Sequence, residues 1–502
     1  MDYQDTDECE PIHTSEGTWN VLLAHVNLKK KTKASQASGV YTLIEMVSKD
    51  VLAVIKKLDD AGFEVAIVGG AVRGLISGEK VSDWDLTTSA RPEQILKLFP
   101  SSFYNNRFGT VGVKLTEKVV EITTYRKEQK YSDSRHPDIV VWGETLEEDL
   151  ARRDFTTNAM ALRFAQGKLS KISILNSQLS NFDLVDPYDG QKDLKAKLIR
   201  TVGDANQRFG EDALRLLRAV RIANDLGFEI EPSTRKAIGD NAVSIKKISG
   251  ERIRDEIFKI IDSKNCDKGI LLLKNVGLLA QILPELDVCF DVPQKSPKRH
   301  HVFDVGTHCV MSFKFCPSKK TIVKFATLLH DIGKAKVANM TDEGVRTFYN
   351  HEVVGGRQVR DIAKRLSLSK ADREKLFRLV RWHQFSVDER QTDRALRRFI
   401  RNAELENVED MMDLRVGDRL GGGLQQPESW RLKLFRQRLK EVLKKPFTVA
   451  DLKVSGNDVM KILGISPGPK VGEVLKKLFE EVVDDNKKNN KEYLLKKIAS
   501  FK

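Results

Sequence analysis

Two aspartates one residue apart, Asp83 and Asp85, follow a strand-like run, Val65-Ala66-Ile67-Val68, and a glycine pair, Gly69-Gly70. Residues i and i+2 of a strand share a face, so Ser82-Asp83-Trp84-Asp85-Leu86 would set two carboxylates side by side. Like charges that close need a cation, and hard oxygen ligands select Mg²⁺. The glycines admit a phosphate close to the backbone, and a helix starting near Ala71 would turn its positive end toward it. With Arg73, the set reads as metal-dependent chemistry on a nucleoside triphosphate. On their own, Asp83 and Asp85 also fit a solvated strand edge or turn; the upstream glycines and arginine weigh against that. A third carboxylate, Glu121, sits in the strand-like run Val119-Val120-Glu121-Ile122. It lies either on an exposed face or toward the same metals.

Further along, Arg152-Arg153-Asp154-Phe155-Thr156-Thr157-Asn158 gathers two guanidiniums, a carboxylate and an amide in seven positions. Guanidinium forks suit phosphate oxygens, whereas Asp and Asn suit sugar hydroxyls. The stretch Glu211-Asp212-Ala213-Leu214-Arg215-Leu216-Leu217-Arg218 reads as the opening of an amphipathic helix. On it, Arg215 follows Asp212 and Glu211 by three and four positions, on one face. Alone, that is an ordinary surface salt-bridge cluster.

Taken together, GGAVRG…DWDLTT, VVEITTYR, DLARRDFTTNAMAL, DPYDGQKDL, EDALRLLRAVRIA and ERIRDEIFKI run in this order from about 65 to about 262. The series resembles class II tRNA nucleotidyltransferases, the CCA-adding enzymes, and their relatives the bacterial poly(A) polymerases. The resemblance implies that Asp83 and Asp85 hold catalytic Mg²⁺, with Glu121 as the third catalytic carboxylate. It implies that Gly69, Gly70 and Arg73 place the triphosphate, and that Arg152, Arg153, Asp154 and Asn158 meet the sugar and phosphates. Asp212 and Arg215 would be the protein template, with Glu211 orienting the arginine and Arg218 joining the nucleotide-binding set. An Arg can donate to cytosine O2 and N3 while an Asp accepts from N4, as a pairing base would. One departure is Gly74, where the family usually carries Asp after Val-Arg.

A second constellation lies in the middle of the chain. Six of nine histidines fall between 300 and 383: His300, His301, His308, His330, His351 and His383. Neutral imidazoles with a carboxylate make a divalent-metal site. His308, the run Leu328-Leu329-His330-Asp331-Ile332-Gly333-Lys334, His351, His383 and Asp418 resemble an HD phosphohydrolase domain. That implies a metal of unspecified identity on His308, His330, Asp331 and Asp418, with His351 and His383 as further ligands.

These sites need elements to position them. The fold expected is α+β: a small mixed β-sheet nucleotidyltransferase head with helices, then a mostly α-helical neck, HD domain and tail. The divisions expected are a polar extension 1–40, head 41–165, neck 166–290, HD domain 291–420 and tail 421–502. The extension carries Lys29-Lys30-Lys31-Thr32-Lys33, and the head a charged loop, Arg126 to Pro137. In this family a full-length loop goes with complete CCA addition. The tail's lysines, Lys487, Lys488, Lys491, Lys496 and Lys497, either touch tRNA phosphates or form a solvated face.

Composition agrees with a nucleic-acid enzyme. Lys plus Arg exceed Asp plus Glu by 85 − 71 = 14 over 502 residues, which favours a polyanionic partner. No apolar run approaches the roughly 20 residues of a membrane span. The acidic start is unlike a signal peptide, and five cysteines without a C-x-x-C pair suit a reducing cytoplasm. The partners expected are tRNA, CTP and ATP, with no membrane; the oligomeric state is open. The readings weighed are CCA addition, addition of CC or A alone, polyadenylation, and an HD-type metal phosphohydrolase acting on RNA ends.

Overall fold

Among the described residues the first 185 positions hold nine strands: β1 (Val65–Val68), β2 (Asp85–Thr88), β3 (Ser102–Asn106), β4 (Thr110–Lys114), β5 (Val119–Thr124), β6 (Arg126–Gln129), β7 (Ile139–Trp142), β8 (Ala161–Phe164) and β9 (Phe182–Val185). A computed structural model of the chain describes residues 46–106, 109–115, 119–129, 139–164, 182–294, 303–388, 390–424, 426–443 and 449–501. The extension 1–40, His300, His301 and the loop from 130 to 137 lie outside the described residues.

Seven strands form one sheet in the order β3-β4-β5-β2-β1-β8-β9, while β6 and β7 pair as a separate ribbon. The sheet is mixed as expected: β2 and β5 run parallel and the other neighbours antiparallel. Periodicity explains the two kinds of strand. β1 is Val-Ala-Ile-Val, buried at every position in the middle of the sheet. β5 alternates, with Val120 and Ile122 buried and Glu121 exposed between them, so one face of this strand meets the core and the other carries charge.

The described residues divide into two units. One holds the seven-stranded sheet, with 46–125, Gly143–Leu146 and Met160–Val185. The other holds Arg126–Trp142, Glu147–Ala159 and the helical remainder from Asp186. A continuous core runs through the helical unit from Phe155 to Val442, and a second small core (Leu452 to Ile498) closes the tail. Among the described residues no helix is long and apolar enough to cross a membrane.

Candidate functional site

In the sheet unit, Asp85 opens β2 and stands opposite Glu121 in the parallel β2–β5 register. On its other side Asp85 is paired with Val68, the residue before Gly69-Gly70. Asp83 does not share a strand with Asp85, as the spacing suggested. It lies just before β2 in irregular backbone, and buried Trp84 between them anchors the segment and leaves both carboxylates exposed. Glu121 is pushed above its ordinary value, first by partial burial and then by the charges of Asp85 and Asp83. Glu121 is thus on the exposed face of β5 and within the field of both aspartates. Repulsion of Glu121 by both aspartates is the kind of electrostatic cost that a nearby cation relieves.

Gly69, at φ 71°, ends β1 and caps the helix Gly70–Ser77. Arg73 is one turn into that helix and its Nη2 would lie 3.5 Å from a Cβ on Gly70. At Gly74 a Cβ would come within 3.1 Å of Val81 Cγ2, so the helix sits too close to the segment ahead of Asp83 for a larger side chain without adjustment.

The helical unit holds the arginine set. Asp149, fully buried, accepts from Arg152 Nε (2.9 Å) and Nη2 (2.6 Å) through Oδ1, and from Arg153 Nη2 (3.2 Å) through Oδ2. Asp154 caps its own turn: Oδ1 accepts from the Phe155 amide (2.9 Å) and Asn158 Nδ2 (3.2 Å). Its Oδ2 takes the Arg218 fork at 2.8 and 2.7 Å. Burial alone would raise Asp154, but Arg218 outweighs it and holds the carboxyl at about 2.

The sequence suggested one helix through Glu211 and Arg215. The structure has two, Ala205–Glu211 and Leu214–Leu226, with Asp212 extended at φ −142° between them. The break has a local cause: Asp212 Oδ1 accepts from the Leu214 amide at 3.0 Å, a hydrogen bond that competes with helix continuation. Asp212 Oδ2 accepts from Arg252 Nη2 at 2.9 Å. Arg215 is buried; it donates to Glu211 Oε2 (2.5 Å), the Arg208 carbonyl (3.1 Å) and the Arg152 carbonyl (3.0 Å). Sequence reading missed Asp149, Arg208 and Arg252 in these roles. Asp149 had a readable signal, since it precedes Arg152 and Arg153 by three and four positions.

Four histidines and Asp418 come together from five helices. His308 sits in Val305–Lys314, His330 and His383 end Thr321–Leu329 and Lys370–Trp382, His351 begins His351–Arg365, and Asp418 lies in Val408–Gly421. Close backbone approach makes this possible. A Cβ on Gly333 would fall 2.0 Å from the His351 carbonyl, and one on Gly417 2.6 Å from that of Ser312. Asp331 divides its oxygens: Oδ2 faces His308 and His330 Nε2 at 3.4 and 3.2 Å, and Oδ1 faces His351 and His383 Nε2 at 3.1 and 3.5 Å. Asp418 Oδ1 lies 3.2 Å from His308 and 3.6 Å from His330. The Nδ1 atoms of His330, His351 and His383 each meet a carbonyl three residues back, at 2.8, 2.8 and 2.7 Å. A carbonyl only accepts, so each Nδ1 carries a proton and each Nε2 faces inward; in the neutral ring that Nε2 is a lone pair open to a metal. Burial lowers His330, but Asp331 and Asp418 override it and push it up to about 10. Without an ion, the two carboxylates also raise His308 against its burial, whereas burial prevails at His383 and lowers it. The groups His308–His330–Asp331 and Asp331–His351–His383 could each hold a metal ion.

Three family models match parts of the chain. Residues 65–200 match the family model for the poly A polymerase head domain, 227–290 that for the probable RNA and SrmB-binding site of polymerase A, and 353–498 that for tRNA nucleotidyltransferase domain 2. The chain is 31% identical over 445 residues to a CCA-adding enzyme of Leuconostoc mesenteroides, covering 86% of this chain and 92% of that one. It is 33% identical over 428 residues to an A-adding tRNA nucleotidyltransferase of Deinococcus radiodurans, covering 83% and 90%. Against several other curated CCA-adding enzymes, 37 to 46% identical, the matched chain spans about half of their length. Among solved structures, the CCA-adding enzyme of Bacillus stearothermophilus in complex with CTP superposes with a TM-score of 0.63 at 25% identity, over 90% of this chain and 97% of that one.

Proposed function

Because the chain belongs to the tRNA nucleotidyltransferase family, we propose that it rebuilds the 3′ end of tRNA, adding C, C and A from CTP and ATP. The observation that carries this reading is the meeting of Asp83, Asp85 and Glu121 beside the Gly69-Gly70 turn. Asp83, Asp85 and Glu121 would hold magnesium, which when bound neutralises the leaving pyrophosphate and favours ionisation of the attacking 3′-hydroxyl. In the sheet unit Gly69, Gly70 and Arg73 are suited to phosphate; in the helical unit, taken by itself, Arg152 and Arg153 are suited to phosphate and the turn of Asp154 and Asn158 to a sugar.

Base choice follows from donor and acceptor placement. Asp212 accepts from an exocyclic amine, N4 of cytosine or N6 of adenine; Arg215 donates to the neighbouring ring nitrogen. Uracil and guanine would turn a carbonyl oxygen toward the Asp212 carboxylate, which repels it. Glu211 fixes the arginine and Arg252 the aspartate. The test is direct: offer tRNA lacking its terminal CCA with CTP, ATP or both, and sequence the ends. Complete CCA with both nucleotides supports the reading. Ends stopping at CC, a single A added only to preformed CC, or a poly(A) run would each replace it with the corresponding relative.

A second reading concerns the histidine cluster, and the inward Nε2 atoms around a shared Asp331 favour it. We propose an HD-type site in which His308, His330, Asp331 and Asp418, with His351 and His383, hold a divalent metal and hydrolyse phosphate esters, such as the 2′,3′-cyclic phosphates of damaged tRNA ends. The metal would lower the pKa of bound water. Purified protein with no stoichiometric metal and no phosphoesterase activity across Mg²⁺, Mn²⁺ and Ni²⁺ would reduce the domain to a scaffold.

A further inference from the structure

The turn Ala151-Arg152-Arg153 is gripped from two sides. From one side comes Asp149, whose buried carboxylate takes both guanidiniums: Arg152 twice through Oδ1, Arg153 once through Oδ2. The two arginine side chains remain partly open, each 16% exposed, while the Asp149 side chain is wholly covered. From the other side come two arginines that hold the backbone: Arg208 Nη2 donates to the Ala151 carbonyl at 2.7 Å and Arg215 Nη2 to that of Arg152 at 3.0 Å. Arg208 and Arg215 share Glu211 Oε2. Residues 149 to 215 thus form one connected polar network, with the guanidinium of Arg152 at one end and that of Arg215 at the other.

We propose that Asp149 is the positioning residue for nucleotide binding: it aims Arg152 and Arg153 at the triphosphate, and the Arg152 carbonyl ties that aim to the base-reading Arg215. The proposal rests on the reading above that Arg152 and Arg153 meet phosphate. A fully buried carboxylate is costly unless its lone pairs are filled, and here three guanidinium N–H groups fill them. The same contacts remove rotamer freedom from two long side chains before the nucleotide arrives, so less is lost on binding. Base and triphosphate would then be read by one rigid unit, and loosening either end would loosen the other.

Charge and geometry make opposite predictions for Asp149→Asn. The substitution leaves the site one unit more positive, so simple electrostatics expects polyphosphate to bind more tightly. Positioning expects weaker binding, because asparagine keeps one accepting oxygen but turns its N–H donors toward the other arginine and releases that guanidinium. The probe is inorganic tripolyphosphate as a competitive inhibitor against CTP, with full-length protein and tRNA lacking CCA. Asp149→Asn is expected to weaken inhibition at least tenfold, to raise KM for CTP and ATP more than it lowers kcat, and to raise misincorporation of U relative to C. Asp149→Glu, which keeps the charge one methylene further out, is expected to weaken inhibition less; it carries the test should the asparagine variant not fold. Unchanged or tighter inhibition in a folded variant overturns the proposal. Arg153→Ala separates the two levels. If it weakens inhibition while the Asp149 variants do not, only the positioning role falls. If it too is unchanged, the phosphate reading falls and takes the proposal with it.

Discussion

Asp85 and Glu121 face one another across the parallel β2–β5 pair, and the second is destabilised as an anion by the first. Partial burial and the two aspartates raise Glu121, so its folded-state value lies above the unfolded one. The metal-free head therefore loses stability as pH rises through the unfolded carboxylate range and carries that cost at neutral pH. Glu121→Gln should raise the unfolding midpoint in EDTA by about 1–3 °C while lowering nucleotide addition and its affinity for Mg²⁺. A calorimetric scan in EDTA with an Mg²⁺ titration of activity checks both; a lowered midpoint with unchanged activity would return Glu121 to an ordinary surface role.

Arg215 is held by three acceptors and buried, which is unlike a solvated salt bridge. Arg215→Ala should relax selection of C and A over U and G more than it slows turnover, by about 1–3 kcal/mol per lost base contact. Competition between correct and incorrect nucleotides measures this, and an unchanged ratio would leave the cluster purely structural.

The Asp154–Arg218 pair sets an acid limit on the helical unit. Asp154 is depressed from 3.8 to about 2, so its contribution is complete above the unfolded value and fades as pH falls from 3.8 through about 2. The amount is on the order of 2 kcal/mol. Asp154→Asn should be less stable than the parent at neutral pH, the gap narrowing over that window. Denaturant melts at pH 7, 4 and 2.5 would show it, and a gap independent of pH would speak against the pair.

How legible was this in the sequence? The strands were readable because β1 is a short continuous apolar run and β5 alternates, and Glu121 stood out as a charge inside the second. The break at Asp212 was not, because a single side-chain hydrogen bond to Leu214 overrides a helical pattern that looks continuous. Asp85 opposite Glu121 depends on a strand pairing between residues far apart in the chain, which spacing does not encode. The histidine set could be gathered in order, but the division of Asp331 between two pairs of rings needs the approach of His351 to Gly333.

For the histidine cluster, Asp331→Ala should remove bound metal and any phosphoesterase activity yet spare nucleotide addition, since the carboxylates of the sheet are a separate set. Metal analysis of purified protein with both assays decides it; loss of nucleotide addition in a folded variant would argue against independent sites.

The central claim is that the carboxylates of the sheet carry out nucleotidyl transfer to tRNA. The most direct measurement incubates tRNA lacking CCA with CTP, ATP and Mg²⁺, using the parent protein and the Asp83→Ala and Asp85→Ala variants, and sequences the 3′ ends while tRNA binding is followed in parallel. The account predicts CCA ends from the parent and no added nucleotide from either variant, with tRNA still bound. Near-normal addition of C or A by either variant would contradict it.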